Sequence, residues 1–348
     1  MPANLSVGVI LNLQLPRQPA FAELRPKEAL FNSVRDAMAD RICEALGQGC
    51  VAQISGGHRY YLHSNNDTSS FVKLVKADDL KRFLQADEVA THVVSQGVQS
   101  SLIRAGFPRP FDDESFLLVY DYIPSRFAEA NGSDIKKLGA LIARMHLALK
   151  SVPNQERALS ATRVRLATLE ARASRIVAGD DYGPDPDLLR QIVCQQEGLL
   201  KLFSSDIDAQ CTHGDLNYSN VIFDQRDGAA CLLDFEDTMI SWFPPAFDVA
   251  LALERFVLTM PLSDSAMYHL GTELLISYKR EVAQDSEVFS HGLHEYLHAL
   301  ALRSLLTLAE LSAREVEPDV AEWRKFSGLY ALTVSQEPLL KKMQSSVQ

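Results

Sequence analysis

Residues 213–236 read HGDLNYSNVIFDQRDGAACLLDFE, and the reading of this stretch decides the fold. It holds the densest polar cluster in an otherwise apolar setting, His213 through Asn220, with Asp234-Phe235-Glu236 beginning fourteen residues after Asn220. The apolar runs on either side of Arg226-Asp227-Gly228 predict a polar loop, a short strand, a tight turn and a second strand. An aspartate (Asp215), a side-chain amide five residues later (Asn220) and a second aspartate (Asp234) at the end of the next strand are the parts needed to orient a hydroxyl nucleophile and hold Mg²⁺ against a triphosphate.

Working outward, the surrounding chain limits what this cluster can serve. Its 348 residues are enough for about two domains, or one bilobal unit with an ample core. With 34 Lys and Arg against 45 Asp and Glu, the formal net charge of -11 argues against duplex nucleic acid or an anionic membrane as a partner. The five cysteines (Cys43, Cys50, Cys194, Cys211, Cys231) are odd in number, far apart and without a CxxC pair, so reduced thiols are expected. The first residues lack a basic stretch before their apolar one, and no uninterrupted apolar run reaches the ~18 residues of a membrane span; a cytoplasmic protein is expected.

Upstream, apolar residues recur every four positions from Leu30 to Leu46, ahead of Gly47, which predicts a docked amphipathic helix within Pro26–Leu46. VAQISGGHRYYLHS and SFVKLVK, on either side of Asn65-Asn66-Asp67, read as an antiparallel pair. Residues 78–97 read as a helix ending at Gly97, and SFLLVYDYI as a buried strand broken by Pro124. Beyond Ser125 the periodicity is helical, at 135–149, 158–176, 187–203 and again from Met267 to Met343, interrupted only by the quoted stretch. The expected division is an N-terminal extension with a docked helix (1–47), a β-rich nucleotide-binding lobe with its hinge (48–124) and a helical lobe with the catalytic loop and acceptor site (125–348).

Protein kinases use the layout D-x-x-x-x-N followed by D-F-G. With HGD and DFE in those places, the chain resembles the aminoglycoside phosphotransferase and choline kinase family, which shares the protein-kinase-like fold; the resemblance runs from about residue 48 to 260. It implies an α+β bilobal architecture with a small β-rich N-lobe and a large helical C-lobe. Other segments match the family in order: Ser55-Gly56-Gly57 for the Gly-Gly turn, Lys73 for the phosphate-binding lysine, and Glu88 for the helix glutamate that pairs with it. SFLLVYDYIP matches the strand into the hinge, KKLGALIARMH the helix ending in a histidine (His146), and Pro245-Ala246-Phe247-Asp248-Val249-Ala250 the segment after the metal aspartate.

The resemblance assigns roles that phosphoryl transfer requires, since that reaction needs positioning and cations more than covalent help. Asp215 is the base that takes the acceptor hydroxyl's proton. Asn220, Asp234 and Glu236 face Mg²⁺; Glu236 follows Asp234 by two, which on an extended segment puts both carboxylates on one face. Lys73, Glu88, Gly56 and Gly57 serve the nucleotide phosphates, and the backbone of Asp121, Tyr122 and Ile123 serves the adenine. His213 braces the loop, and Asp248 accepts hydrogen bonds from its backbone. The turn at Gly56-Gly57 lacks the G-x-G-x-x-G of protein kinases, so a backbone phosphate clamp of that type is not implied.

The expected activity is therefore transfer of the γ-phosphate of ATP, with GTP as the alternative donor, to a hydroxyl of a small molecule: an amino alcohol, sugar, amino acid or aminoglycoside. Thirteen residues separate Asp234 from Asp248, too few for a protein kinase activation segment, so protein substrates are not expected. A catalytically silent nucleotide-binding scaffold is the alternative, and it predicts loss of Lys73, Asp215, Asn220 or Asp234; all four are present. A two-metal phosphatase would leave the hinge strand and the Gly-Gly turn without purpose. The acidic balance, Glu236 and the aromatics Trp242, Phe243, Tyr296 and Trp323 suit a cationic acceptor such as choline or an aminoglycoside. Core packing explains the same aromatics, and a neutral amino alcohol or sugar is equally open. The sequence leaves the oligomeric state undetermined.

Overall fold

A computed structural model describes residues 37–47, 50–54, 60–65, 68–204, 209–282 and 289–347. The chain opens with helix α1 (Ala37–Leu46), followed by β1 (Cys50–Ile54), β2 (Tyr60–Asn65) and β3 (Thr68–Lys76). Helix α2 (Ala77–Ser95) precedes β4 (Arg109–Asp112) and β5 (Ser115–Asp121). These five strands form one antiparallel sheet in the order β1-β2-β3-β5-β4. The predicted pair around residues 65–67 is β2 and β3, while the stretch before it divides into two strands around residues outside the described set.

Register explains what each face of this sheet does. Val72 is opposite Val119 and Leu74 opposite Leu117, so the four share a face. There they meet Ala39 and Ile42 of α1 in a small apolar cluster. Lys73, opposite Leu118, points to the other face. Helix α1 therefore covers the side of the sheet away from Lys73. Of the helix expected over Pro26–Leu46, the part before Ala37 lies outside the described residues.

After β5 the chain crosses Tyr122–Pro124 into β6 (Ser125–Phe127) and then α3 (Gly132–Leu149), where Asn131 caps the helix by accepting the Asp134 N–H at 2.9 Å. Next come α4 (Gln155–Val177), α5 (Pro186–Gln196), a 3₁₀ segment (Glu197–Ser204) and β7 (Gln210–Cys211). The quoted stretch forms a loop, a 3₁₀ turn (Tyr218–Asn220), β8 (Val221–Asp224) and β9 (Ala230–Leu232), and β6-β8-β9 make a three-stranded antiparallel sheet. A second 3₁₀ segment (Phe235–Ile240) leads to β10 (Trp242–Phe243), which pairs with β7. The remainder is α6 (Ala246–Leu253), a π-helical turn (Glu254–Leu258), α7 (Asp264–Glu281), α8 (Leu293–Ala313) and α9 (Val320–Ser345).

One large apolar core runs through α3 to α9 and also takes in Ala86, Val89, Ala90 and Val93, the inner face of α2. Helix α2 is thus joined by sequence to the five-stranded sheet and by packing to the helical lobe. This is the expected α+β bilobal arrangement. Cys43, Cys194, Cys211 and Cys231 are free thiols. Among the described residues no helix is long and apolar enough to cross a membrane.

Candidate active site

The loop after β7 is held from beneath by a buried carboxylate. Asp248, on α6, accepts the His213 N–H at 2.7 Å on one oxygen and the Gly214 N–H at 3.0 Å on the other. His146 Nε2 lies 3.1 Å from the same Asp248 oxygen that takes the His213 amide, and His146 Nδ1 is 2.9 Å from the Tyr278 hydroxyl. Burial would raise the Asp248 carboxyl, but the His146 hydrogen bond and charge and the loop amides hold it below the usual carboxylate range. Gly214 adopts φ +82°, and a Cβ there would sit 2.2 Å from Ser241 Oγ, so glycine is required for the loop to pass.

His213 is fully buried and braces the loop internally: Nδ1 accepts the Asp215 N–H at 3.4 Å and Nε2 donates to the Leu233 carbonyl at 3.0 Å. These partners assign the neutral tautomer. Asp215 is half-buried, and its Oδ2 accepts from Asn217 Nδ2 at 2.8 Å and Asn220 Nδ2 at 3.1 Å. A further bond from Asn220 Nδ2 to the Asp215 carbonyl, 2.8 Å, fixes the amide flip and turns Asn220 Oδ1 away from Asp215.

Asp234 is left-handed, with φ 63° and ψ 67°, and the next six residues form a 3₁₀ segment. The extended segment expected to align Asp234 and Glu236 is therefore absent. The left-handed residue turns the chain, and both carboxylates still reach Lys73: Nζ is 3.0 Å from Glu236 Oε1 and 3.5 Å from Asp234 Oδ2. Burial would raise Asp234, yet the Lys73 ammonium lowers it below the usual range. Burial and the Asp234 carboxylate beside it push Glu236 up to about 7.

A second expectation is corrected on α2. Glu88 is exposed and forms no pair with Lys73. Of the two adjacent acids on α2, Asp87 turns inward, and it accepts the Ile103 N–H at 2.8 Å. Phe83, one turn earlier, is the α2 residue at the lysine, with Nζ 4.8 Å from its ring centroid. The helix still reaches the acids of the 3₁₀ segment through Arg82, whose Nη2 lies 2.6 Å from Asp237 Oδ1 and whose Nε lies 3.7 Å from Glu236 Oε2. The one-residue register that separates Asp87 from Glu88 is not readable from periodicity. Gly56 and Gly57 lie outside the described residues.

At the hinge, the Tyr122 N–H donates to the Ser69 carbonyl at 3.2 Å, and the Asp121 carbonyl accepts from Ser101 Oγ at 3.2 Å. The Tyr122 carbonyl and the Ile123 N–H have no such partners among the described residues. Three of the four aromatics considered for a cationic acceptor, Phe243, Tyr296 and Trp323, are buried in the core and Trp242 packs against it.

Whether Mg²⁺ fits can be judged from the oxygens present. Asp234 Oδ1 is buried without a hydrogen-bond partner, an arrangement that costs free energy unless a cation or donor satisfies it. Asn220 Oδ1 has only a 3.3 Å contact with Ser219 Oγ. Among the described residues no group of three or more His, Cys, Asp or Glu side chains is arranged to hold a metal alone. Few protein oxygens with nucleotide phosphates completing the shell is the usual environment of Mg²⁺, so the residues fit it.

The family model described as phosphotransferase enzyme family, APH, matches residues 52–283. No curated protein sequence matches significantly. Among solved structures, spectinomycin phosphotransferase APH(9)-Ia, in complex with ADP and spectinomycin, is 12% identical with a TM-score of 0.60, covering 89% of this chain and 99% of its own. Choline kinase LicA from Streptococcus pneumoniae is 15% identical with a TM-score of 0.57 over 86% of this chain and 100% of its own. The microcompartment-associated aminopropanol kinase is 14% identical with a TM-score of 0.53, over 90% and 98% of the two chains.

Proposed function

Because the chain belongs to the APH phosphotransferase enzyme family, we propose that it transfers the γ-phosphoryl group of ATP, with GTP as the alternative donor, to a hydroxyl of a small molecule. The observation that carries this reading is the meeting of Lys73, from the sheet, with Asp234 and Glu236, from the helical lobe, at 3.5 and 3.0 Å. Groups from two lobes converge where a triphosphate would have to lie.

Asp215 takes the proton of the acceptor hydroxyl and aims its oxygen at the phosphorus, with the amides of Asn217 and Asn220 fixing the carboxylate's orientation. Lys73 holds the nucleotide phosphates. The Tyr122 carbonyl and Ile123 N–H offer an acceptor and a donor to the adenine edge, a shift of one residue from the groups that Ser101 and Ser69 occupy. Asn220, Asp234 and Glu236 would hold Mg²⁺, which when bound supplies charge neutralisation for the phosphates. The silent-scaffold alternative predicts loss of Lys73, Asp215, Asn220 or Asp234, and the chain carries all four.

A coupled assay of ADP release with Mg·ATP against amino alcohols, sugars, hydroxy acids and aminoglycosides tests the activity; acceptor-dependent ADP release is expected, and its absence across the panel would argue for the scaffold. Glu88→Gln is expected to leave the KM for ATP within about twofold, whereas Glu236→Gln, which removes a charge from Lys73 and from the metal position, should raise it by about tenfold or more. Equal effects of the two substitutions would contradict the assigned geometry.

A further inference from the structure

Helix α8 carries a single arginine, Arg303, within the apolar run ALALRSLLTLA. The Arg303 guanidinium lies over two rings, 5.5 Å from the centroid of Phe203 and 5.6 Å from that of Phe243. Phe243 is on β10, whose partner strand β7 runs directly into His213, so the cation stands beside the chain entering and leaving the site. Among the described residues no carboxylate pairs with it. The acids that offset its charge from nearby are all engaged elsewhere: Asp248 with His146 and two amides, Asp237 with Arg82, and Asp215 with Asn217 and Asn220. Burial, and after it the positive charge of Arg165, lower the guanidinium to about 10, which leaves it a cation at neutral pH.

A groove of about 840 Å³ runs between α4 and α8, and Arg165 and Arg157 line it from α4 while Thr307, one turn beyond Arg303, lines it from α8. Helix α4 is fixed to the site by Thr162, which donates to the Ile240 carbonyl and accepts the Trp242 N–H, both at 2.9 Å. Neither Arg157 nor Arg165 has a carboxylate partner among the described residues. Of the two acids in the groove, Glu310 is held between Arg172 and Arg314, at 2.8 Å from each, so Arg157 and Arg165 face one remaining carboxylate, Glu156, and the lining keeps a net positive charge. A cationic acceptor here would meet like charge, and the Phe243 ring that could have stacked on it already lies under Arg303.

Taking the kinase reading as its premise, we propose that the phosphate acceptor is an anion, a hydroxylated carboxylate or phosphate ester whose charged end is held by Arg303 and Arg165 while its hydroxyl faces Asp215. Guanidinium groups suit this task because their planar donors match carboxylate and phosphate oxygens two at a time.

The test is thermal denaturation of the full chain saturated with Mg·AMP-PNP, at constant ionic strength, with D-glycerate, citrate or glucose 6-phosphate set against glycerol, glucose, ethanolamine and choline. At least one anion is expected to raise the midpoint by about 2 °C at ten times its dissociation constant. Arg303→Gln should abolish that rise while AMP-PNP affinity, read by calorimetry, stays within about twofold. Should Arg303→Gln not fold, Arg165→Gln, on the open groove, is expected to at least halve the shift. No anion-specific rise, a rise unaffected by Arg165→Gln, or turnover of choline or an aminoglycoside without turnover of any anion overturns the proposal and leaves the kinase reading standing. Failure of the wild-type chain to bind AMP-PNP in a Mg²⁺-dependent way removes the premise of both.

Discussion

Asp215→Asn is expected to lower turnover by about 10²- to 10⁴-fold, the usual worth of a general base, while nucleotide affinity and the thermal midpoint stay near those of the wild type. The hydrogen bonds of Asp215 explain the separation. Oδ2 of Asp215 accepts from the Asn217 and Asn220 amides at 2.8 and 3.1 Å, so an asparagine must turn its oxygen toward those two donors. Its NH₂ group then occupies the other position, facing the acceptor, where it can donate but cannot take a proton. The contacts that hold the loop, from Asp248 to the amides of His213 and Gly214, are untouched. Single-turnover and steady-state phosphoryl transfer both within about threefold of wild type would remove Asp215 from the role of base.

Asp234→Ala is expected to abolish Mg²⁺-dependent nucleotide binding, a loss of about 10²-fold or more in affinity. The carboxylate has one oxygen 3.5 Å from Lys73 and another buried without a hydrogen-bond partner, so its removal deletes both the counter-charge and the donor oxygen for the metal. Alanine at φ 63° also strains the backbone by about 1 kcal/mol. Asp234→Asn separates the two effects, because asparagine tolerates the left-handed region and keeps the shape while losing the charge. Calorimetry with Mg·AMP-PNP and with EDTA-treated AMP-PNP distinguishes the outcomes; an unchanged affinity and metal dependence in Asp234→Asn would dismiss the metal assignment.

The bilobal fold was legible because its elements are written in separate patterns: a β-rich apolar run at residues 70–76, a 3.6-residue period through α3 and α4, and a polar loop framed by two apolar runs. The strands β4 and β6 were not, since RPFD and SRF are too short to show alternation and form only where β5 and β8 present their edges. Within the site, Lys73, Asp215, Asn220 and Asp234 carried a spacing that could be read. The partner of Lys73 did not, because whether Asp87 or Glu88 faces inward depends on how α2 packs its Val89 and Val93 into the helical lobe. Arg303 had a signal that went unused: a lone guanidinium in an apolar helix stretch, which in a buried environment must find a ring, an acid or a ligand. Asn217 was inside the quoted loop, yet nothing in its type distinguished a residue that orients Asp215 from ordinary turn chemistry.

The anchoring of the loop by Asp248 sets how the molecule loosens. The His213 and Gly214 amide protons are held by a carboxylate that is itself buried on α6 among the large core, so they trade with solvent only when that core opens. Among the described residues the cluster on the far face of the five-stranded sheet is small, Ala39, Ile42, Val72, Leu117 and Val119 with six partly buried neighbours, and it separates at lower cost than the large core. Thermal fluctuation is thereby partitioned: the half that bears Asp215 behaves as an anvil, and the half that bears Lys73 as the part that breathes.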